Sequence, residues 1–234
     1  MDDDALQFLR ACPWLAGVPD EALAALRPAD CFWRGYEPRE SLYRRGETLG
    51  HVFGVRAGSF KIVSGNRAGS ETITALVPAG EWFGEILLFS GEPAFADCVA
   101  IGRSRVLLLT EAALRGLAER WPAVNRQLLH IVARKARSTF WMNVHYKMAG
   151  PERMLARRLE LSLAFGPPPG DAEWVALREH LSHEVLAGML GLSRPRVSLA
   201  MQALAAEGLL EARRGRVRVH VARLRRYCDD GEAG

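Results

Sequence analysis

From Ser182 to Leu210 the chain reads SHEVLAGMLGLSRPRVSLAMQALAAEGLL, and Gly191 divides it into two short helical segments. Leu186, Met189, Leu190 and Leu192 form one apolar cluster. Val197, Ala200, Met201 and Leu204 form another at i, i+3, i+4, i+7. Gly191 stands where the first helix must stop, because glycine takes the left-handed conformation without a Cβ penalty. Ser193 is placed as an N-cap whose hydroxyl accepts from an orphan amide, and Pro195 falls in the first turn, where a missing N–H costs nothing. Arg194, Arg196, Ser198, Leu199 and Gln202 are then left on the outer face. Arginines at the N-terminal end of a short helix, braced by a preceding helix, form the helix-turn-helix plan that enters a DNA major groove. The plainer alternative is an αα-hairpin in an ordinary helical domain.

Charge separates the two. Net charge is +4 over 234 residues, but Arg178 to Arg226 holds ten arginines against four glutamates. The first 149 residues are near neutral, with 18 basic and 16 acidic side chains. A positive field gathered around the helix-turn-helix is what phosphate attraction requires. At 49% hydrophobic content the chain can build one large or two modest cores. Cys12, Cys31, Cys98 and Cys228 are scattered, with no CxxC pair and no nearby histidine, which gives neither a zinc or iron–sulfur site nor a disulfide framework. The acidic start, MDDDALQ, is unlike a secretory signal, and no run of about 18 apolar residues exists to span a membrane. The expected setting is the cytoplasm.

Residues 2–27 are amphipathic and helical in pattern, with Pro19 opening a second short helix. Between Phe32 and Leu109 β-rich stretches recur at Ser41–Tyr43, Val52–Arg56, Phe60–Val63, Thr72–Val77, Cys98–Ile101 and Arg105–Leu109, punctuated by glycine turns. That spacing predicts a β-sandwich or roll of about eight strands. Pro122 opens a helix expected to run to about Lys147, with Leu128, Val132, Ala136, Thr139 and Tyr146 as a roughly heptad-like stripe flanked by Ile131 and Met142. Lys135 and Arg137 interrupt it. A two-fold partner helix would cover such a stripe, and so would the chain's own domain. Ala149-Gly150-Pro151 breaks the helix, Glu152 to Phe165 is amphipathic again, and Gly166–Gly170 is a stiff proline turn. Trp174–Leu177 reads as a short strand. After the helix-turn-helix, Arg213-Arg214-Gly215 joins two strand-like segments as a wing.

Three segments in order carry a family resemblance. Gly80-Glu81-Trp82-Phe83-Gly84-Glu85-Ile86 with Leu88-Phe89, Val55-Arg56-Ala57-Gly58-Ser59-Phe60-Lys61-Ile62, and Leu190-Gly191-Leu192-Ser193-Arg194 with Val197-Ser198 resemble signature segments of the CRP/FNR family of bacterial transcription regulators. The resemblance spans roughly Leu6 to Tyr227. It implies an α+β fold: a double-stranded β-helix (jelly-roll-like) sensor over residues 1–120, a long connecting and dimerisation helix over 121–149, and a winged helix-turn-helix over 150–234. It also implies a homodimer on a pseudo-palindromic operator in double-stranded DNA, RNA polymerase as a partner, and a small-molecule effector.

By the same resemblance Arg194 donates to guanine, since its fork fits O6 and N7. Pro195 and Leu199 replace the family's Glu and Arg, so the operator should diverge, with Arg196 and Ser198 as substitute contacts and Gln202 as a further candidate for DNA binding. Ser182, Ser193, Arg213, Arg214 and Arg216 are candidate backbone contacts. In the sensor, Gly84 and Glu85 occupy the positions that hold a ribose hydroxyl, whereas the Arg-Ser pair that holds a cyclic phosphate is replaced by Phe95-Ala96. Thr139 and Phe140 take the positions near the adenine base. An anionic phosphate without its arginine loses a charge-assisted, bidentate interaction, so the effector is expected not to be cyclic AMP. No cofactor is assigned. Haem sensing would need His51, His130, His145 or Cys98 as an axial ligand, and Trp82, Phe83, Phe95 and Phe140 could line an apolar effector or form core. Two further readings are a ligand-sensing protein-interaction module with a non-functional winged helix, and a jelly-roll enzyme. The second lacks a His/Glu cluster in the β region, where His51 is the only histidine.

Overall fold

The computed structural model describes residues 2–65, 71–145, 150–165 and 170–229, with no side-chain account of Glu71, 141–145, Ala164 or Phe165. Asp2 caps the first helix, α1 (Asp3–Arg10), by accepting from the Ala5 amide at 2.7 Å. A 3-10 turn at Pro13–Leu15 and helix α2 (Asp20–Ala24) follow, each opened at a proline that limits the helix before it. Eight strands come next: β1 (Cys31–Tyr36), β2 (Ser41–Tyr43), β3 (His51–Ala57), β4 (Ser59–Gly65), β5 (Glu71–Pro78), β6 (Trp82–Phe83), β7 (Asp97–Ala100) and β8 (Ser104–Thr110), with helix α3 (Glu85–Ser90) between β6 and β7. They form two four-stranded sheets, ordered β1-β8-β3-β6 and β2-β7-β4-β5. The strands expected from the spacing are all present. β1, β6 and α3 are additions.

Strand alternation divides the apolar residues between two cores. Phe53, Val55, Phe60, Phe83, Val106 and Leu108 point between the sheets. Val52, Trp82, Leu107 and Leu109 point outward beneath Phe8, Leu9, Trp14 and Leu23. Both faces of β8 are therefore covered, which is why Val106–Leu109 is an unbroken apolar run rather than an alternating one. Gly54 lies where α1 approaches: a Cβ there would stand 2.6 Å from the rings of Phe8 and Trp82. The helices α4 (Glu111–Arg120) and α5 (Pro122–His145) leave the sheet, and Leu114, Leu117, Val124 and Leu128 join the outer core.

The chain divides into two compact units, Met1–Arg67 with Thr74–Arg137, and Ala68–Ile73 with Ser138–Gly234. In the second, α6 (Pro151–Phe165), β9 (Trp174–Ala176), α7 (His183–Leu190), α8 (Arg194–Ala206), β10 (Leu210–Arg213), β11 (Arg216–His220) and α9 (Val221–Asp229) follow in order. The three strands make one sheet, β10-β11-β9. Leu155 and Leu159 of α6, Leu186 and Leu190 of α7, Val197, Met201 and Leu204 of α8, and Leu224 of α9 are buried around it. α9 was not expected. Its apolar positions, Val221, Leu224 and Cys228, nonetheless carry an i, i+3, i+7 pattern. Arg158 of α6, 8% exposed, donates to Ser162 Oγ and Glu179 at 2.9 Å each, so its buried charge is paired. Of the expected helix end near Lys147 and the proline turn, residues 146–149 and 166–169 lie outside the described part.

Candidate nucleic-acid interface and sensor site

Helix α7 begins at Ser182, whose hydroxyl accepts from the Val185 amide at 3.2 Å, and ends at Gly191, which has φ +64°. α8 is preceded by Ser193, which has the φ and ψ of an N-cap but makes no capping bond from its side chain. The expectation for that hydroxyl was wrong. Pro195 sits second in the helix and carries no N–H, which removes one of the two amides an N-cap normally serves. Val197, Ala200, Met201 and Leu204 turn inward as their spacing dictates. Arg194, Arg196, Leu199 and Gln202 are exposed, while Ser198 is half-buried and accepts from Gln202 Nε2 at 3.4 Å. The Arg194 side chain, 63% exposed, is not alone: its Nη2 lies 2.7 Å from Glu184 Oε2 on α7. Sequence reading missed that partner, although ten residues across a helix-turn-helix is a natural meeting distance.

The wing is a two-residue hairpin between β10 and β11, with Arg213 opposite Arg216. Arg214 has φ +50° and Gly215 φ +76°, the pair of positive angles that a type I′ turn needs. Arg213, Arg214 and Arg216 are all exposed. The turn is held from the loop before α7: Leu181 N–H donates to Gly215 O at 2.7 Å, and His180 Nε2 lies 2.9 Å from Arg214 O. A carbonyl only accepts, so Nε2 carries the proton. The outer strand face adds Arg218, 3.3 Å from Glu211 and stacked over Trp174 at 5.8 Å.

In the first unit, Gly84 opens α3 with φ +100°, and a Cβ there would meet the Phe53 ring at 2.9 Å. Glu85 follows at 0% exposure. Its Oε1 accepts from Lys135 Nζ on α5 at 2.6 Å, and its Oε2 has no partner among the described residues. In the sequence pattern Lys135 interrupts the helix stripe. It instead turns inward and supplies the charge partner that a buried carboxylate requires. Burial pushes the nearby Tyr43 hydroxyl up, with smaller contributions from Cys98 and from the Glu85 charge.

The other sensor candidates differ in exposure and in the core they join. Ala96 is 2% exposed and Phe95 is 57% exposed, because Ala94 exchanges backbone hydrogen bonds with Gly46 and Glu47 and fixes the segment's orientation. Trp82 and Phe83 lie on opposite faces of β6, in different cores, so the four aromatics do not line one pocket. Thr139 and Phe140 are exposed on α5. Cys98 is fully buried and its thiol is pushed up by burial, which suits a core residue rather than an axial ligand. His51 is half-buried with its ring edge-on to Phe32 at 5.8 Å, and His130 is exposed. No group of three metal-ligating side chains occurs among the described residues.

On α5 the exposed apolar positions are shifted from those expected. Leu128 is 5% exposed in the outer core, whereas Leu129 is 70% and Phe140 72% exposed. With Ala133 and Ala136 they mark one face over three turns.

Two family models match the chain: the cyclic nucleotide-binding domain over residues 33–120 and the Crp-like helix-turn-helix domain over 154–227. A CRP-like cAMP-activated global transcriptional regulator of Mycobacterium tuberculosis is 28% identical over 204 residues, covering 82% of this chain and 85% of its own. The transcriptional activator protein anr of Pseudomonas aeruginosa is 28% identical over 174 residues, covering 74% and 70%. The structure of FixK2 from Bradyrhizobium japonicum superposes with a TM-score of 0.68 at 23% identity, covering 84% of this chain and 96% of that one.

Proposed function

Because this chain belongs to the CRP/FNR family of DNA-binding transcription regulators, we propose that it acts in the cytoplasm as a homodimer on a pseudo-palindromic operator. The supporting observation is the exposure of Arg194 and Arg196 in the first turn of α8, together with that of Arg213, Arg214 and Arg216 on the wing. Arg194 reads a guanine through O6 and N7. Arg196, Ser198 and Gln202 contact neighbouring edges, and Ser182, Ser193 and the wing arginines contact backbone. Ser193, relieved of capping, has its hydroxyl free for that role. Pro195 cannot accept from a cytosine amine and Leu199 offers only apolar contact, so the operator departs from the family pattern at those positions. The proposed domains are a sensor over 1–120, a connecting and dimerisation helix over 121–149 and a winged helix over 150–234. Leu129, Ala136 and Phe140 form the seam between subunits, and RNA polymerase is the partner at the promoter. Selection from a random DNA pool should enrich a palindrome. Arg194→Ala should cost about 1–3 kcal/mol of specific binding and relax one base pair per half-site. Recovery of no enriched site would instead favour a sensing module with a non-functional winged helix.

Effector sensing centres on Gly84 and Glu85, bounded by Phe95 and Ala96, with Thr139 and Phe140 on the long helix. The Mycobacterium tuberculosis relative is named for cyclic AMP activation, which supports a second reading in which this chain answers to a cyclic nucleotide. Three features count against it: Phe95-Ala96 offers no phosphate-binding side chain, Phe95 points outward, and Glu85 already holds an ammonium group. Calorimetric titration with cyclic AMP should show no binding at micromolar ligand. Micromolar affinity would overturn this half of the proposal.

A further inference from the structure

β9 pairs with β11 only from Arg218 to His220, with Leu177 N–H reaching Val217 O, so the tip of the hairpin extends past its third strand. That tip turns through Arg214 at φ +50°, where asparagine, aspartate or glycine is the usual choice. Such a conformation persists only where its surroundings over-determine it. Here the surroundings are the loop that leads into α7. Leu181 N–H donates to Gly215 O at 2.7 Å, and the His180 imidazole donates from Nε2 to Arg214 O at 2.9 Å. The ring also fills the space above Gly215, where a Cβ would come within 3.0 Å of three of its atoms. His180, Arg214 and Gly215 are thus a matched set: the histidine occupies the volume that the glycine leaves, and its proton satisfies the carbonyl that the unusual φ presents. His180 itself is solvent-exposed.

We propose that His180 is a positioning residue for DNA binding, fixing the wing turn so that Arg213, Arg214 and Arg216 meet the phosphate backbone while α8 is in the groove. This rests on the reading of those arginines as phosphate contacts. The ligand is the DNA backbone, and the effect of His180 is on the number of charges delivered rather than on base choice.

The test uses the full-length protein and a mixed-sequence duplex, where binding is governed by phosphate contacts and the slope of log affinity against log salt changes by about 0.9 for each one. Arg214→Ala with Arg216→Ala should flatten the slope by about two per subunit engaged. His180→Ala should flatten it in the same direction, by about one or more, with unchanged helical circular dichroism. His180→Gln, which returns an N–H donor near the same place, should restore it. Gly215→Ala, which evicts the ring while leaving His180 present, should flatten it too. A purely structural histidine would lower thermal stability and leave the slope of the folded protein alone. If the arginine variants flatten the slope and His180→Ala does not, the positioning role is refuted. If the arginine variants leave it unchanged, the wing is not a phosphate-binding surface and the underlying reading fails instead.

Discussion

Replacing Lys135 by Met removes the ammonium that donates to Glu85 Oε1 and leaves a carboxylate of 1% side-chain exposure inside the sensor unit without that counter-charge. Breaking a buried pair from one side costs about 3–5 kcal/mol, because the survivor keeps its desolvation penalty and loses its compensation. The Lys135 side chain is 28% exposed, so water reaches this edge of the pair and the lower end, about 3 kcal/mol, is expected. With a urea dependence of about 3 kcal/mol per molar, the unfolding midpoint should fall by about 1 M. Tryptophan fluorescence is the suitable probe, since Trp14 and Trp82 sit in the core beside α3 and α5. The same cycle carries an internal control. Glu85→Leu combined with Lys135→Met removes both charges and should recover to within about 1 kcal/mol of the parent, since an ion pair replaced by apolar groups is often neutral. A Lys135→Met midpoint within error of the parent, or a double variant no better than the single one, would refute the view that this pair is a desolvated, mutually dependent unit.

Leu129→Asp or Phe140→Asp should shift sedimentation toward monomer and weaken operator binding, since each places a charge on the exposed apolar face of α5. The same change at His130, exposed on another face of α5, should not. Burial lowers the His51 pKa from its ordinary 6.5, so below about pH 6.5 the unfolded chain takes up a proton more readily than the folded one. Sensor stability should therefore fall with acid through that window, and His51→Gln should flatten the fall. A stability profile that is unaltered by the substitution would show that His51 contributes nothing to it.

The output end of the molecule was legible because its signals are local. Gly191, Pro195 and the i, i+3, i+4, i+7 apolar set act within a few residues of one another, and a wing follows within a dozen. The β region was legible wherever glycine marked a turn. β1 escaped because Gly35 interrupts its pattern and its register is set by β8, with Cys31 opposite Leu109 across more than seventy residues. Two-residue β6 is too short to show a period. The buried pair in the first unit was half legible: the Gly84-Glu85 segment stands out by motif, whereas Lys135 could not be paired with it, because the two lie 50 residues apart. A charge on an amphipathic helix looks the same in sequence whether it faces water or a buried carboxylate.

Glu184 gives the DNA-reading end a further property. Arg194 does not wait in bare solvent: it rests 2.7 Å from a carboxylate that is itself well exposed. If Arg194 reads guanine as proposed, engaging it is an exchange of partners rather than the filling of a vacancy, and each correct contact is worth the difference between base and carboxylate. On a wrong sequence the arginine can fall back on Glu184 instead of being stranded over a base edge. On that reading, rejection of near-miss sites is softened by at most the about 1 kcal/mol that an exposed ion pair is worth, against about 1–3 kcal/mol for the base contact, so a residue on α7 trims the discrimination made by the helix in the groove.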